Sequence, residues 1–546
     1  MRKALLLPLS YCVLLSAQPD NPTIRVSTRL VQISVVAHQK NRPVSDLAKH
    51  EFTVLDQGKP RTISLFSVSS SRDEIKKPSP LPPNTFSNYV EHQANRPSTT
   101  TIILFDSINT PAEAQIYARQ ELLKFVKDLQ PQDRIALYVL GRSLKVLIDF
   151  TADAGEIQRT LASLSTIQSL EVAAAQSGPS EVLSNPKDVS QNITVNGNLD
   201  IADQMEANFI TESSAEITLQ ALEAIANHVA NLPGRKNLVW VTGGFPFAIN
   251  LDTFHPFLQR RTFAAETRRA TRLLNEANVA VYPVDARGLI AARAFQGPKA
   301  GAPPVAALLP PRRPGQASPI DNYPETIDSM KHLAGLTGGR AFYDNMDIKS
   351  AVRSAMEDTD VTYTLGFYPD PATLDDKFHD IKVQVDRKGV DVRYRQGYFA
   401  FKDELHSDQQ RRQELADALW SPLDAVAVPL IMRLEHVDQP EPGLLRAYLA
   451  ADLHSLALEQ QANGHWAGGV DVLLIQQDKA GKALGSSLQT LNLDLDKTNR
   501  EVLLKTGVPL GKYLRPKAGS ATVRAIVMDR ASGKIGSLIV PYSQVH

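Results

Sequence analysis

The chain has 546 residues, room for three or four domains at roughly 150 residues each. Apolar residues at 43% and charged residues at 22% are those of a globular protein, which excludes wholesale disorder and a fibrous repeat. Lys plus Arg and Asp plus Glu both number 59, so the basic excess of a nucleic-acid binder is missing and no nucleic-acid partner is expected.

The first residues carry a basic start (Arg2, Lys3), an apolar stretch from Ala4 to Ser16, and the small pair Ser16-Ala17 before Gln18. That pattern predicts a signal peptide over 1–17 and an exported protein, in the periplasm, at the cell surface or secreted. A buried first strand is the alternative. Cys12 could also carry a lipid, although Tyr11 stands where a lipoprotein signal wants a small residue. Cys12 is the single cysteine, so a chain that loses its signal has none left to oxidise. No later run reaches 18 apolar residues, and no transmembrane helix is expected.

Residues 24–68 read as a small β module, with strands at Ile24 to Val36, Phe52 to Leu55 and Ile63 to Val68 and a hairpin signal at Asp56 to Pro60. Three short strands need something to pack on. Ser and Pro dominate 69–98, which reads as a linker. From 99 to 360 strands and helices alternate. The strands are predicted at 101–105, 134–140, 145–150, 237–242, 279–284 and 340–343, and the second and third are placed as antiparallel partners across Gly141 to Ser143. The helices fall at 112–129, 154–164, 214–232, 257–277, 323–337 and 347–358. Such alternation predicts an α/β fold, a doubly wound and mostly parallel sheet covered by helices. Two stretches, 165–212 and 296–322, are too long for ordinary connections and read as surface loops. Three closing strands follow within 361–400, the last two joined by a hairpin at Lys388-Gly389, and are expected to pack with the N-terminal module. A linker helix lies in 405–424. A C-terminal β-sandwich over 425–546 is punctuated by turns at Gly443, Gly464, Gly481, Gly511 and Gly533.

Motifs of catalysis are missing: no HExxH, no GxSxG, no phosphate-binding loop and no CxxC occurs. Gly243-Gly244 and Gly338-Gly339 have no GxGxxG context, and the neighbours His379-Asp380 point to opposite faces of a strand. The chain is therefore expected not to be an enzyme. One constellation is better placed. Asp106-Ser107-Ile108-Asn109-Thr110 follows the first buried strand directly, and open α/β sheets bind ligands at the carboxyl ends of their strands. A carboxylate with hydroxyls at that point can hold a hard cation, or it can cap the following helix.

The order of elements in 99–300 resembles a von Willebrand factor type A (VWA) domain, and residues 24–400 resemble the exported VWFA-related proteins typical of Acidobacteria. The resemblance is carried by Val44-Ser45-Asp46-Leu47, by Glu51 to Pro60, by Leu104 to Thr110 and by Asp133-Arg134-Ile135-Ala136. Leu232-Pro233-Gly234-Arg235-Lys236, Tyr363 to Pro369, Lys377 to Val383 and Val392 to Phe399 complete it. It implies a protein partner, adhesion at the cell envelope, and a metal-ion-dependent adhesion site for Mg²⁺ opening with Asp-x-Ser-x-Ser. Here Asp106 matches the Asp and Thr110 the second Ser, while Ile108 replaces the first Ser and Ser107 is out of register. Gly243-Gly244 stand where a later Asp belongs, and either Thr211 or Thr218 would be the intervening Thr. The implied site is degenerate, with Asp106 and Thr110 as its remaining metal ligands. The expected binding face for an unidentified protein is Asp106, Ser107, Asn109, Thr110, Gly243 and Gly244. A hydrolase built on the same face and the long loops, and a structural subunit of an envelope assembly, are the alternatives.

Overall fold

The computed structural model describes residues 30–40, 42–70, 80–89, 100–130, 133–164, 212–244, 263–287, 323–343, 347–370, 373–400, 407–437, 439 and 442–545. The expected signal peptide, residues 165–211 of the loop expected over 165–212, and the loop at 296–322 lie outside them, while Glu212 is already helical. None of the described helices is long and apolar enough to cross a membrane.

The chain enters through β1 (Val31–Gln39), β2 (Arg42–Pro43), β3 (Phe52–Asp56), β4 (Lys59–Arg61) and β5 (Leu65–Ser70). The β3–β4 hairpin turns on Gln57 and Gly58, at φ 49° and 74°, the backbone that a tight two-residue turn requires. Next, β6 (Thr85–Ser87) lies inside the stretch expected to be a linker. It pairs with a strand of the C-terminal domain described below, so part of 69–98 is a structural element.

The central domain follows: β7 (Thr100–Asp106), α1 (Ala112–Lys127), β8 (Ile135–Leu140), β9 (Leu144–Thr151), α2 (Ala154–Ser163) and α3 (212–229). Then come β10 (Lys236–Thr242), α4 (Ala264–Glu276), β11 (Val279–Asp285), α5 (Tyr323–Thr337) and α6 (Ile348–Glu357). The sheet runs β11-β10-β7-β8-β9, with the first four strands parallel and β9 antiparallel at one edge. Every residue of β7, β8, β10 and β11 is buried, as expected of strands covered on both faces. Ile102 and Leu104 face a core built with α3, α4 and α5. Ile103 and Phe105 face a second core with α1, α2 and α6. The expected strand at Arg340 to Tyr343 reduces to one bridge, Phe342 with Val284. Gly339 explains how closely that segment approaches: a Cβ there would lie 1.9 Å from the Val281 carbonyl oxygen.

The chain then returns to its beginning. β12 (Val361–Phe367) pairs with β1 and β5, and β13 (Phe378–Val385) pairs with β3. β14 (Asp391–Arg393) pairs with β1, and β15 (Gly397–Phe399) with β13. The result is two facing sheets, β14-β1-β12-β5 and β15-β13-β3-β4, sharing one core around Ile33, Phe52, Val54 and Tyr363. The Tyr363 hydroxyl accepts from Leu47 N at 3.1 Å and donates to the Val44 carbonyl at 2.8 Å, satisfying loop groups that burial would otherwise strand. The turn at Lys388-Gly389 is corrected: β13 and β14 lie in different sheets, so it carries the chain across the sandwich rather than closing a hairpin.

α7 (Asp408–Trp420) leads to the last domain. Its strands are β16 (Leu430–Val437), β17 (Leu444–Ala451), β18 (Glu459–Gln460), β19 (Trp466–Gln477) and β20 (Ala483–Leu495). α8 (Lys497–Thr506), β21 (Val508–Leu514), β22 (Thr522–Asp529) and β23 (Ile535–Pro541) complete it. Two sheets, β21-β17-β16-β6 and β18-β19-β22-β23 with β20 beside β19, enclose one apolar core. Gly511, expected at a turn, sits inside β21; the turn is made instead by Gly507 at φ 76°, where α8 ends.

Asn88, just after β6, ties this domain together. Its side-chain amide donates to the carbonyls of Ala425 (2.8 Å), Val428 (3.2 Å) and Ser537 (3.2 Å), and its oxygen accepts from Leu430 N at 2.5 Å. The side chain is buried at 2% exposure. Asn88→Ala removes a side-chain bond from four backbone groups, of which the Ala425 carbonyl keeps Ser537 N at 2.7 Å, and a loss of about 2–4 kcal/mol is expected, read as a lowered urea midpoint. A midpoint within error of the unchanged chain would show that these bonds hold nothing.

Candidate functional site

The strand order reverses between β7 and β10, where the helices that follow leave to opposite faces of the sheet. Such a reversal opens a crevice at the carboxyl ends of the strands. The turn 107–110 after β7 and Gly243-Gly244 after β10 meet there. They meet closely: Gly243 N donates to Thr110 Oγ1 at 2.8 Å, and a Cβ on Gly243 would lie 2.9 Å from Thr110 Cα. A side chain at 243 would push the two turns apart.

Asp106 ends β7 and is buried at 1% exposure. Its Oδ1 accepts from Asn109 N at 3.1 Å. Its Oδ2 lies 2.9 Å from Asn109 Nδ2, 3.0 Å from Trp240 Nε1 and 2.8 Å from Thr242 Oγ1. Burial pushes its pKa up to about 6, against the pull of bonds from Asn109, Thr242 and Trp240. Thr242 Oγ1 also lies 2.6 Å from the Gly244 carbonyl oxygen. One hydroxyl proton thus faces two acceptors, the Asp106 carboxyl and the Gly244 carbonyl.

Asn109 is the hub. Its Nδ2 donates to Asp106 and, at 3.0 Å, to Thr218 Oγ1, which donates in turn to the Ser214 carbonyl at 2.7 Å. Of the two threonines left open by the sequence, Thr218 reaches this network; Thr211 lies outside the described residues. Ser107 Oγ is buried and has no hydrogen-bond partner among the described residues. Gln115 Nε2 donates to the carbonyls of Ser107 (3.1 Å) and Thr110 (2.8 Å) and pins the turn onto α1.

The residues present do not fit Mg²⁺ in this arrangement. A hard cation of this kind needs an octahedron of oxygens with carboxylate charge. Asp106 spends its oxygens on protein donors, Thr110 Oγ1 accepts from Gly243, and buried Ile108 offers no oxygen. Asn109 Nδ2, a donor that cannot ligate a cation, lies within hydrogen-bond distance of both Asp106 Oδ2 and Thr218 Oγ1. Among the described residues no group of three or more His, Cys, Asp or Glu is arranged to hold a metal.

As a contact surface the six expected residues divide. Asp106, Ser107, Thr110 and Gly243 are buried, while Asn109 and Gly244 are partly exposed. Trp240, Thr242 and Asp285 are not among the site residues the sequence singles out. Thr242 and Asp285 are register partners at the ends of β10 and β11. Asp285 Oδ1 accepts from Arg287 N and Nε, both at 3.0 Å. The strand-end rule that selected Asp106 would have selected both. His379 meets not its neighbour Asp380 but Asp375 (3.1 Å) and Asp56 (3.5 Å), with Tyr398 beside it.

No family model matches the chain, and no curated protein matches it. Among solved structures, the chain is similar to an aerotolerance-related membrane protein from Bacteroides fragilis at 12% identity. That match covers 47% of this chain and 98% of the other, with a TM-score of 0.25. The VWA domain of SpRpn10 matches at 15% identity over 34% of this chain and 74% of its own, with a TM-score of 0.17. Three N-terminal domains of the pilus tip protein Mfa5 from Porphyromonas gingivalis match at 11% identity over 89% and 97%, with a TM-score of 0.22. Scores this low leave the fold resting on the strand order itself.

Proposed function

We propose that the chain is an exported, non-enzymatic VWA-like protein that binds another protein at the cell envelope through the carboxyl ends of its central strands. The observation behind this reading is the closed network of Asp106, Asn109, Thr218, Trp240 and Thr242 at the strand-order reversal. It holds the turn 107–110 without an ion and presents Asn109 and Gly244 from a preformed base. A preformed surface loses little conformational entropy on binding. In this reading the adhesion site is degenerate and metal-independent.

The hydrolase alternative needs a nucleophile within reach of a base. The hydrogen bonds of His228, His379, His454 and His465 run to aspartates, Tyr398 and a backbone carbonyl, with no serine among them. The test is a photo-reactive amino acid at position 109 in cells expressing the full chain. An adduct of one defined mass, unchanged by chelators and lacking when the probe is moved to Arg412 on α7, is the expected result. No adduct at 109, or one that needs divalent metal, would overturn the reading. Sequencing the mature N-terminus tests export, with Gln18 expected first.

A further inference from the structure

Where β1 of the N-terminal sandwich meets the α4–β11 corner of the central domain, the described residues surround a small cavity of about 10 Å³. Its lining includes Gln32 and Ser34 of β1, Asn275 and Asn278 at the end of α4, Arg235 just before β10, and Arg395 between β14 and β15. That is about the room of one water-sized sphere.

The charges on this lining are all positive: two arginines and no carboxylate. Arg235 is buried at 4% exposure. Its Nη2 donates to the Tyr282 hydroxyl at 2.8 Å and to the Gly338 carbonyl at 2.5 Å. Arg395 Nη2 donates to the Gln32 carbonyl at 2.7 Å. Nε of both arginines is buried and has no hydrogen-bond partner among the described residues. The neighbouring carboxylates act from outside the cavity. Asp358 accepts from Tyr282 at 2.6 Å and pairs with Arg393, so it reaches Arg235 through the Tyr282 hydroxyl. Glu276 is exposed at the end of α4 and does not line the cavity. Burial pushes Arg395 down to about 10 against the pull of Glu276, so it stays charged at neutral pH. Two like charges on one small cavity repel more strongly than they would in water. Polar donors surround them as well. Ser34 Oγ donates to Asn278 Oδ1 at 2.6 Å, Asn278 Nδ2 donates to the Gly234 carbonyl at 3.2 Å, and Asn275 Nδ2 to the Leu336 carbonyl at 3.1 Å. Each amide nitrogen has a second hydrogen to give.

We propose that this cavity binds a single chloride ion, held by Arg235 and Arg395 with the amides of Asn275 and Asn278, and that the ion fastens the N-terminal sandwich to the central domain. A monatomic anion is the class that the room admits; sulfate, phosphate and a ligand carboxylate are too large. Water fits but brings no charge to offset the two guanidiniums. The site uses none of the residues of the strand-end face, and either proposal can fail without the other.

The test melts the full chain in sodium gluconate that is replaced stepwise by sodium chloride, at a constant ionic strength of about 0.15 M so that screening does not change. Gluconate is too large for the cavity. The melting temperature is expected to rise by about 1–3 °C and to level off as the site fills. The rise should be the same at about pH 6 and about pH 8, because a guanidinium does not titrate there. Chloride-35 NMR line broadening should saturate over the same concentrations, and bromide should replace chloride. Arg395→Gln should abolish both the rise and the broadening. Gln32→Glu, which tethers a carboxylate beside the guanidiniums, should abolish them too and should melt higher in gluconate than the unchanged chain. Gln32 is exposed and Arg395 partly so, which lets both variants fold. Asn109→Ala should keep the full rise. Equal melting in chloride and gluconate with no broadening, the result of water alone, overturns the site. So does a chloride-dependent rise that survives Arg395→Gln, because the ion then binds elsewhere.

Discussion

Asp106→Ala is expected to lower the stability of the central domain by about 3–5 kcal/mol, the cost of leaving a set of buried donors without their acceptor. Asn109 N, Asn109 Nδ2, Trp240 Nε1 and Thr242 Oγ1 all converge on this one carboxyl group, which is almost fully buried. Trp240 is itself wholly enclosed, so water cannot replace the lost oxygen without opening the core. Asp106→Asn keeps the shape and one acceptor oxygen and should cost less, about 1–2 kcal/mol. Urea unfolding of the three proteins measures the difference. Repeating it with millimolar Mg²⁺, Mn²⁺ or Ca²⁺ separates the two roles open to this residue. A structural Asp106 gives midpoints that do not move with metal. A midpoint that rises with metal in the unchanged chain, and not in Asp106→Asn, would mean that the carboxylate ligates an ion and that the network rearranges to admit it.

Stability should fall as pH rises from about 5 to about 7.5, the opposite of the trend set by ion-paired carboxylates. Burial pushes Asp106 and Asp424 up to about 6 and Glu223 up to about 7. Between the ordinary carboxylate range and these values the folded chain keeps protons that the unfolded chain has released. Folding is therefore favoured on the acid side, and that stability is lost as pH climbs through about 6 and 7. His228 adds to the same trend. Burial alone would lower its pKa, but Asp149 outweighs burial and raises it, so its contribution also fades as pH rises. At one pKa unit per about 1.4 kcal/mol, the sum is several kcal/mol. Below about pH 4 the slope reverses, because paired carboxylates such as Asp149 and Asp347, held below their ordinary range, become protonated. Calorimetry at pH 5.5 and 7.5 should show a melting temperature several degrees higher at 5.5. Glu223→Gln should flatten that difference; an equal or higher melting temperature at 7.5 would sink the account.

His228 and Asp424 also sit where the domains touch. His228 Nδ1 lies 2.8 Å from the Asp424 carbonyl, and Val426 N donates to the Asn227 carbonyl at 2.9 Å. The same pH change therefore bears on how α3 holds the segment leading into the C-terminal sandwich.

Much of this was legible in the chain itself. The unbroken apolar runs at 102–105 and 238–241 determined strands covered on both faces, because no half-exposed strand can present so many consecutive apolar side chains. Asp56-Gln57-Gly58-Lys59 determined a hairpin, because Gly58 takes positive φ without a steric cost, and Gln57 follows it there. Alternation of strand and helix determined the sheet and the helices on its two faces. The position of Asp106 at the end of the first strand singled out the turn that follows. Pairing between distant segments was not legible. That β6 belongs to the C-terminal sandwich, that β13 and β14 part into different sheets, and that the first strand pairs with one more than 300 residues away were decided by the packing of whole sheets. The chemistry of Asp106 was decided in the same way. Local sequence shows a carboxylate among hydroxyls, which suits an ion or a hydrogen-bond network equally well. The tertiary structure brought Trp240 and Thr242 to it, and Thr218 to its neighbour Asn109, from more than 100 residues away, and burial together with the donors from Trp240, Thr242 and Asn109 sets what the carboxylate can do.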